Sequence, residues 1–319
     1  MQPCGFVDLQ VNGYRGVDFS DPQLSDDAVV TAWRGLIADG TAIMLPTIIT
    51  AEERVYATNL PRLARLAALP EFAPHIAGFH LEGPFLCPRD GAAGAHNSSW
   101  MKAADPLYLE RLQGYAGGRI RLLTVAADLS NVVPMIVQAR RMGIVVSLGH
   151  HLATAADLTH AVAAGATALT HLGNGLPHLV GRHHNPLLDG LAEDGLQAMI
   201  VGDGHHVPWS LVRTILRSKG VARSILVSDA SPLAGMPAAD YPCFGAIARL
   251  TADGRLFNPE TGYLMGSSNT IRQVVNATRT ALQLDDASCL ALAVTNPLAL
   301  LGLTTPVAML PRSADGTYL

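Results

Sequence analysis

Residues 144–174, IVVSLGHHLATAADLTHAVAAGATALTHLGN, hold two short apolar runs separated by a segment of helical period, and a histidine closes or follows each run. Buried parallel strands read as continuous apolar runs of this kind, and the Ala- and Leu-rich stretch at 154–163 supplies the helical crossover that two parallel strands require. The unit is therefore β-α-β. It predicts a parallel sheet that presents imidazoles at the C-terminal ends of neighbouring strands.

The same alternation continues in both directions. Apolar runs of strand length occupy 6–13, 41–49, 75–83, 120–128, 144–150, 168–174, 197–204 and 224–230. Helical segments lie between most of them, at 26–39, 51–68, 131–142, 154–163 and 208–218. Eight strands with interleaved helices predict an α/β fold of the (β/α)8 TIM-barrel class rather than an open sheet. A single barrel over 1–319 accommodates the chain. The Pro- and Gly-rich SPLAGMPAADYP and the turn pair Asp253-Gly254 mark 231–267 as a hairpin or loop elaboration over the barrel mouth. Helical sequence resumes from 268 to about 301.

Catalytic groups of such barrels come from the C-terminal strand ends. Gln10 and Asn12 close the first run, Glu82 the third, His150 the fifth, His171 and Asn174 the sixth, and Asp229 the eighth. Each has an ordinary explanation when taken alone. Glu82 suits a buried ion pair, a histidine on an apolar strand is commonly a packed core residue, and Asp229 suits a cap on the following loop. Together, one Glu and two His at three ends of one barrel form a ligand set for a catalytic zinc with a position left for water. Asp229 is then placed to take a proton from water and return it to a leaving nitrogen.

The remaining polar residues leave alternatives open. His96, in GAHN, is either a loop histidine or a group that polarises a carbonyl. In DGHH, His205 or His206 could meet a substrate hydroxyl, and the sequence does not choose between them. His80 shares the strand face of Glu82 and reads as a packed barrel residue. Arg182, in LVGRHHN, is either solvated or suited to a phosphate, which guanidinium binds in bidentate fashion.

Composition removes several classes of function. With 22 Lys+Arg against 26 Asp+Glu and a net charge of −4, the chain has no excess of cations for a nucleic-acid backbone. No apolar run reaches the roughly 18 residues of a membrane span, and the N-terminus lacks a basic segment followed by an apolar one. Cys4, Cys87, Cys243 and Cys289 have neither disulfide-framework nor metal-type spacing. The expectation is a cytoplasmic protein with no membrane and no nucleic-acid partner.

Six segments carry a family resemblance: HLEGPF at 80–85, SLGHH at 147–151, THLGNGLPHLVGR at 170–182, DGHHV at 203–207, SDASPLAG at 228–235 and LMGSS at 264–268. In this order they resemble the motifs of the N-acetylglucosamine-6-phosphate deacetylase family of the amidohydrolase superfamily, from about Gly5 to Gly302. The resemblance implies a metal-dependent amidohydrolase barrel that hydrolyses the acetamide of a phosphorylated N-acetyl amino sugar. Glu82, His150 and His171 correspond to metal ligands, Asp229 to the general base and acid, and His96 and His206 to histidines contacting the N-acetyl group and sugar. Asn174 and Gly175 match a phosphate-binding pair, Arg182 a phosphate-binding arginine contributed across a homodimer interface, and Met265 a backbone contact to substrate. Gln10-Val11-Asn12 stands where many amidohydrolases carry His-x-His for a second metal, which implies one divalent ion, with Zn²⁺ the expected one.

Against the family pattern, the chain is expected to lack the small β-sandwich. It also has His151 for a small hydroxyl residue, His183-His184 for Glu-Pro and Asp128 for Glu. These differences keep two rivals in view. One is a deacetylase for another N-acyl amino sugar or amino acid, and the other a non-catalytic metal- or sugar-binding barrel.

Overall fold

The computed structural model describes residues 3–319; Met1 and Gln2 of the expected barrel span lie outside the described residues. Eight parallel strands form one sheet in sequence order: β1 (Phe6–Val11), β2 (Thr41–Ile49), β3 (Phe79–Glu82), β4 (Ile120–Val125), β5 (Val145–Leu148), β6 (Ala168–Leu169), β7 (Gln197–Val201) and β8 (Ser224–Val227). Each falls within one apolar run of the sequence. Nearly all of their residues are buried, because the sheet is covered by helices outside and filled by side chains within.

The ends of the sheet meet at a seam built differently from the other junctions. Val11 and Ala230 form a single parallel bridge, with the Asn12 amide donating to the Ala230 carbonyl at 2.7 Å. Below it, Asp8 replaces a backbone partner: its Oδ1 accepts from the Ser228 amide at 3.0 Å, and Ser228 Oγ donates to the Gln10 carbonyl at 3.2 Å. Complete burial pushes the Asp8 carboxyl up to about 7.

The intervening helices are α1 (Asp26–Ala38), α2 (Glu53–Ala67), α3 (Pro106–Tyr115), α4 (Val132–Arg141), α5 (Ala155–Ala164), α6 (Pro186–Ala192) and α7 (Trp209–Lys219). Local chemistry explains their ends. Thr154 and Asp157 make a reciprocal capping box on α5, which stops at Gly165 in the left-handed region at φ 113°. After the barrel come α8 (Ile271–Leu282), α9 (Asp286–Leu290) and α10 (Asn296–Leu300), the last two joined by a π turn.

Several strands end earlier than their apolar runs. His150, His171 and Asp229 have φ of 51°, 30° and 50°, so the chain leaves the ladder at these residues instead of continuing extended. Over the mouth lies a three-stranded antiparallel sheet, β9 (Ala239–Cys243), β10 (Ala246–Leu250) and β11 (Leu256–Phe257). Phe244 and Gly245, both at positive φ, turn β9 into β10, and Gly254 lies in the turn before β11. Leu233, Ala248, Leu250, Leu256 and Met265 give this lid a small core of its own. Among the described residues no helix is long and apolar enough to cross a membrane.

Candidate active site

Inside the barrel, below the mouth, the strands contribute hydroxyls instead of hydrocarbon. His80 Nε2 lies 2.7 Å from Thr124 Oγ1, which is 2.8 Å from Thr170 Oγ1, which in turn is 2.6 Å from Ser147 Oγ. Burial pushes His80 down to about 4, leaving a neutral ring in this polar layer. The layer supports the strand ends above it.

There Glu82, His150 and His171 come together, all buried, with one donor atom from each within 4.8 Å of the others. Glu82 Oε1 is 2.8 Å from His171 Nε2 and 3.3 Å from His150 Nε2, and the two imidazole nitrogens are 3.0 Å apart. Ligand atoms about 2.0–2.1 Å from a tetrahedral zinc lie about 3.3 Å apart, so the triangle is of the right size. The tautomer is also suitable. His150 Nδ1 donates to the Ala92 carbonyl at 2.7 Å, which turns the lone pair of Nε2 towards the cluster. This donor set fits a divalent ion. Burial opposes the charge of Glu82, but the His150 and His171 imidazoles against it hold its carboxyl well below the usual carboxylate range. The reciprocal contact raises His171 against its own desolvation.

Asp229 faces this cluster from β8 across the seam. Its Oδ1 accepts from Gln10 Nε2 at 2.9 Å and Asn12 Nδ2 at 2.7 Å, and Gln10 Nε2 also lies 2.9 Å from Glu82 Oε1. The first-strand amides thus tie the two carboxylates together. Asp229 Oδ2 lies 3.5 Å from His206 Nε2.

His206 is fixed by a residue that sequence reading did not single out. Asp203 accepts the His206 and His205 backbone amides at 2.8 Å and the His206 Nδ1 proton at 2.7 Å. Burial lowers the imidazole, but the Asp203 charge overrides it and lifts His206 to about 10. Asp203, opposed by its own desolvation, falls to about 2. The pattern Asp-x-x-His was visible in the sequence as a short loop motif. His205 instead turns to the lid, with Nε2 2.9 Å from the Asp253 carbonyl.

A cavity of about 420 Å³ opens above these groups, and Asn12, His96, Asn174, Gly175 and His206 line it with the cluster and Asp229. His96 reaches deep: its Nε2 is 3.2 Å from His150 Nε2, and burial followed by the neighbouring His150 pushes it down to about 3. Gly175 has φ 64°, and a Cβ there would fall 2.9 Å from His150 Nδ1, so a side chain would displace the imidazole. Gln10 lies beneath the cavity. Met265 is outside the lining: its side chain packs into the lid core, while Leu264 and Gly266 on either side face the cavity. Arg182 is exposed and lies outside the lining of its own chain. Tyr263 of the lid stacks on His178 with ring centres 4.6 Å apart and closes one side, a contact between distant segments that carries no sequence signal.

No family model matches the chain. It is 30% identical to the N-acetylglucosamine-6-phosphate deacetylase of Bos taurus over 99% of this chain and 78% of that protein. It is 29% identical to that of Bacillus subtilis (strain 168) over 82% of this chain and 66% of the relative. The N-acetylgalactosamine-6-phosphate deacetylase of Shewanella sp. (strain ANA-3) is 29% identical over 92% and 72%. Among solved structures, a variant of the N-acetyl-D-glucosamine-6-phosphate deacetylase of Mycobacterium smegmatis, in complex with N-acetyl-D-glucosamine-6-phosphate, superposes with a TM-score of 0.85 at 28% identity. It covers 95% of this chain and 78% of that one.

Proposed function

Because this chain belongs to the N-acetylglucosamine-6-phosphate deacetylase family, we propose that it hydrolyses the acetamide of N-acetylglucosamine 6-phosphate to glucosamine 6-phosphate and acetate. The observation that carries this reading is the meeting of Glu82, His150 and His171 with Asp229 at the floor of one cavity. Glu82, His150 and His171 would hold a divalent ion, with Zn²⁺ the one the ligand types favour, and such an ion would supply Lewis acidity towards water and the amide carbonyl.

Asp229 handles the proton. Its Oδ1 is occupied by the Gln10 and Asn12 amides, which leaves Oδ2 to accept a proton from water as the water oxygen bonds to the carbonyl carbon. The same proton then passes to the amide nitrogen, the C–N bond breaks, and the free amine and acetic acid leave, the acid giving its proton to solvent to become acetate. His96 is held neutral and serves as a hydrogen-bonding partner for the acetamide carbonyl. His206, charged through Asp203, is set to donate to a sugar hydroxyl while standing 3.5 Å from the acid/base carboxylate. Asn174 and Gly175 are assigned to the phosphate, with Leu264 or Met265 providing a backbone contact.

Arg182 is assigned to the phosphate of a partner subunit's site in a cytoplasmic homodimer. Its exposure beside Leu179, which is 91% exposed, and the exposed Leu188 supports this reading, because an apolar rim of this kind suits an interface. Metal analysis coupled to an acetate-release assay tests the whole assignment. The panel is the 6-phosphates of N-acetylglucosamine and N-acetylgalactosamine with the unphosphorylated sugars. Metal-dependent release from the first substrate is expected; one bound metal with no release from any of the four would overturn the assignment.

A further inference from the structure

Among the described residues lining the active-site cavity, Arg255 is the one lysine or arginine. It belongs to the turn that leads into β11, far in sequence from every segment that carries the metal cluster. Its guanidinium lies over the Phe257 ring, 4.5 Å from the ring centre, and no carboxylate of the described residues pairs with it. An exposed arginine with no carboxylate partner, facing a cavity, is available to an anion.

The backbone that carries it is held at successive residues. The Asp253 carbonyl lies 2.9 Å from His205 Nε2, and Ser268 Oγ donates to the Gly254 carbonyl at 2.7 Å. Thr251 donates through both its amide and its hydroxyl to the Arg255 carbonyl at 3.0 Å, and the Met265 amide donates to the Leu256 carbonyl at 3.2 Å. Four consecutive carbonyls are thereby tied down, so the guanidinium starts from a fixed base instead of a free loop. Such preorganisation lowers the cost of holding a ligand.

The charge layout of the cavity gives this position a consequence. Glu82 and Asp229 put two carboxylates at its floor, whereas Arg255 stands on the lid side with the His178 and His205 imidazoles also in the lining. An anionic group held by Arg255 on the lid side leaves the opposite, amide end of a substrate directed towards the floor. We infer that Arg255 is a specificity-determining residue that binds the anionic group of the substrate from within the same chain. This inference rests on the phosphorylated amino-sugar reading given above, and it assigns to the lid a recognition role that does not depend on the partner's Arg182.

The test uses the metal-loaded full chain and the variants Arg255→Ala and Arg255→Lys. Turnover is measured on N-acetylglucosamine 6-phosphate and on N-acetylglucosamine, and binding of glucosamine 6-phosphate and of glucosamine is measured by calorimetry. Arg255→Ala is expected to raise KM for the phosphorylated substrate about 10- to 100-fold with kcat little changed, and to weaken glucosamine 6-phosphate binding by a similar factor. Activity on the unphosphorylated sugar should stay at its wild-type level, and Arg255→Lys should fall between. If the wild type prefers the phosphorylated sugar and Arg255→Ala keeps that preference, or loses both activities equally, the inference on Arg255 is wrong. A wild type with no preference for phosphate removes the substrate reading itself, and this inference with it.

Discussion

The Gln10 side-chain amide donates to Asp229 Oδ1 at 2.9 Å, across the seam between the first and last barrel strands. The same nitrogen lies 2.9 Å from Glu82 Oε1, so one amide occupies the space between two carboxylates that a second cation would otherwise neutralise. A glutamine does this without adding charge.

One divalent ion per chain is therefore expected by elemental analysis, and two would contradict the amide bridge. Gln10→Ala should slow turnover and lower stability by about 1.5–3 kcal/mol, the usual range for losing hydrogen bonds to charged groups, read from denaturant unfolding.

Asp229→Asn keeps the shape of the side chain but removes its capacity to carry a proton. Turnover should fall about 10²- to 10⁴-fold with metal content unchanged. Near-normal turnover at full metal content would exclude Asp229 as the acid/base group.

Removal of the metal leaves Glu82 buried against two imidazoles. Chelation should abolish acetate release and lower Tm, and restoring a divalent ion should recover both. An ion present at about 1,000 times its Kd stabilises the fold by about 4 kcal/mol, a shift easily seen in a melting curve.

The Asp203–His206 pair should leave a signature in the pH dependence of stability. His206 is raised from 6.5 to about 10 in the folded chain, so its contribution is complete below 6.5 and is lost as pH climbs through 10. Asp203 is lowered from 3.8 to about 2, so its contribution is present above 3.8 and is lost as pH falls through 2. The stability difference between wild type and His206→Gln should thus be flat from about pH 4 to 6.5 and shrink towards pH 10. A difference independent of pH over that alkaline range would rule out the charged pair.

If Arg182 serves the partner's site, two impaired variants should complement each other. Mixed dimers of Asp229→Asn and Arg182→Ala chains contain one site with both residues intact. Random pairing of equal amounts restores about a quarter of the wild-type sites. No recovery on mixing, with subunit exchange verified by mass, would place Arg182 in its own chain or outside the site.

Much of this architecture is legible because the barrel imposes two simple regularities. Buried parallel strands show as apolar runs, and the groups that must face the mouth interrupt those runs at their ends, as Glu82, His150, His171 and Asp229 do. The left-handed backbone at three of these residues is hidden, since nothing in His or Asp announces a positive φ imposed by its surroundings. Contacts of the lid are hidden for another reason. Arg255, Tyr263 and Leu264 reach the cavity only through pairing of β10 with β11 and packing against distant loops, and a shift of one residue separates Leu264, facing the cavity, from Met265, buried in the lid. Asp203 was within view, but only the fold shows that its charge is spent on His206.

The seam closed by Asp8 and Ser228 has a bearing on biosynthesis. Gln10 and Asn12 emerge first from the ribosome, and Asp229 only after some two hundred more residues, yet they must share one hydrogen-bonded cluster. A nascent chain can stack most of its strands while the Asp229 carboxylate is still without the Gln10 and Asn12 amides that hold it. Asp229 has its amide partners only once that junction is closed, so a loss of turnover is expected to accompany fraying there during denaturation.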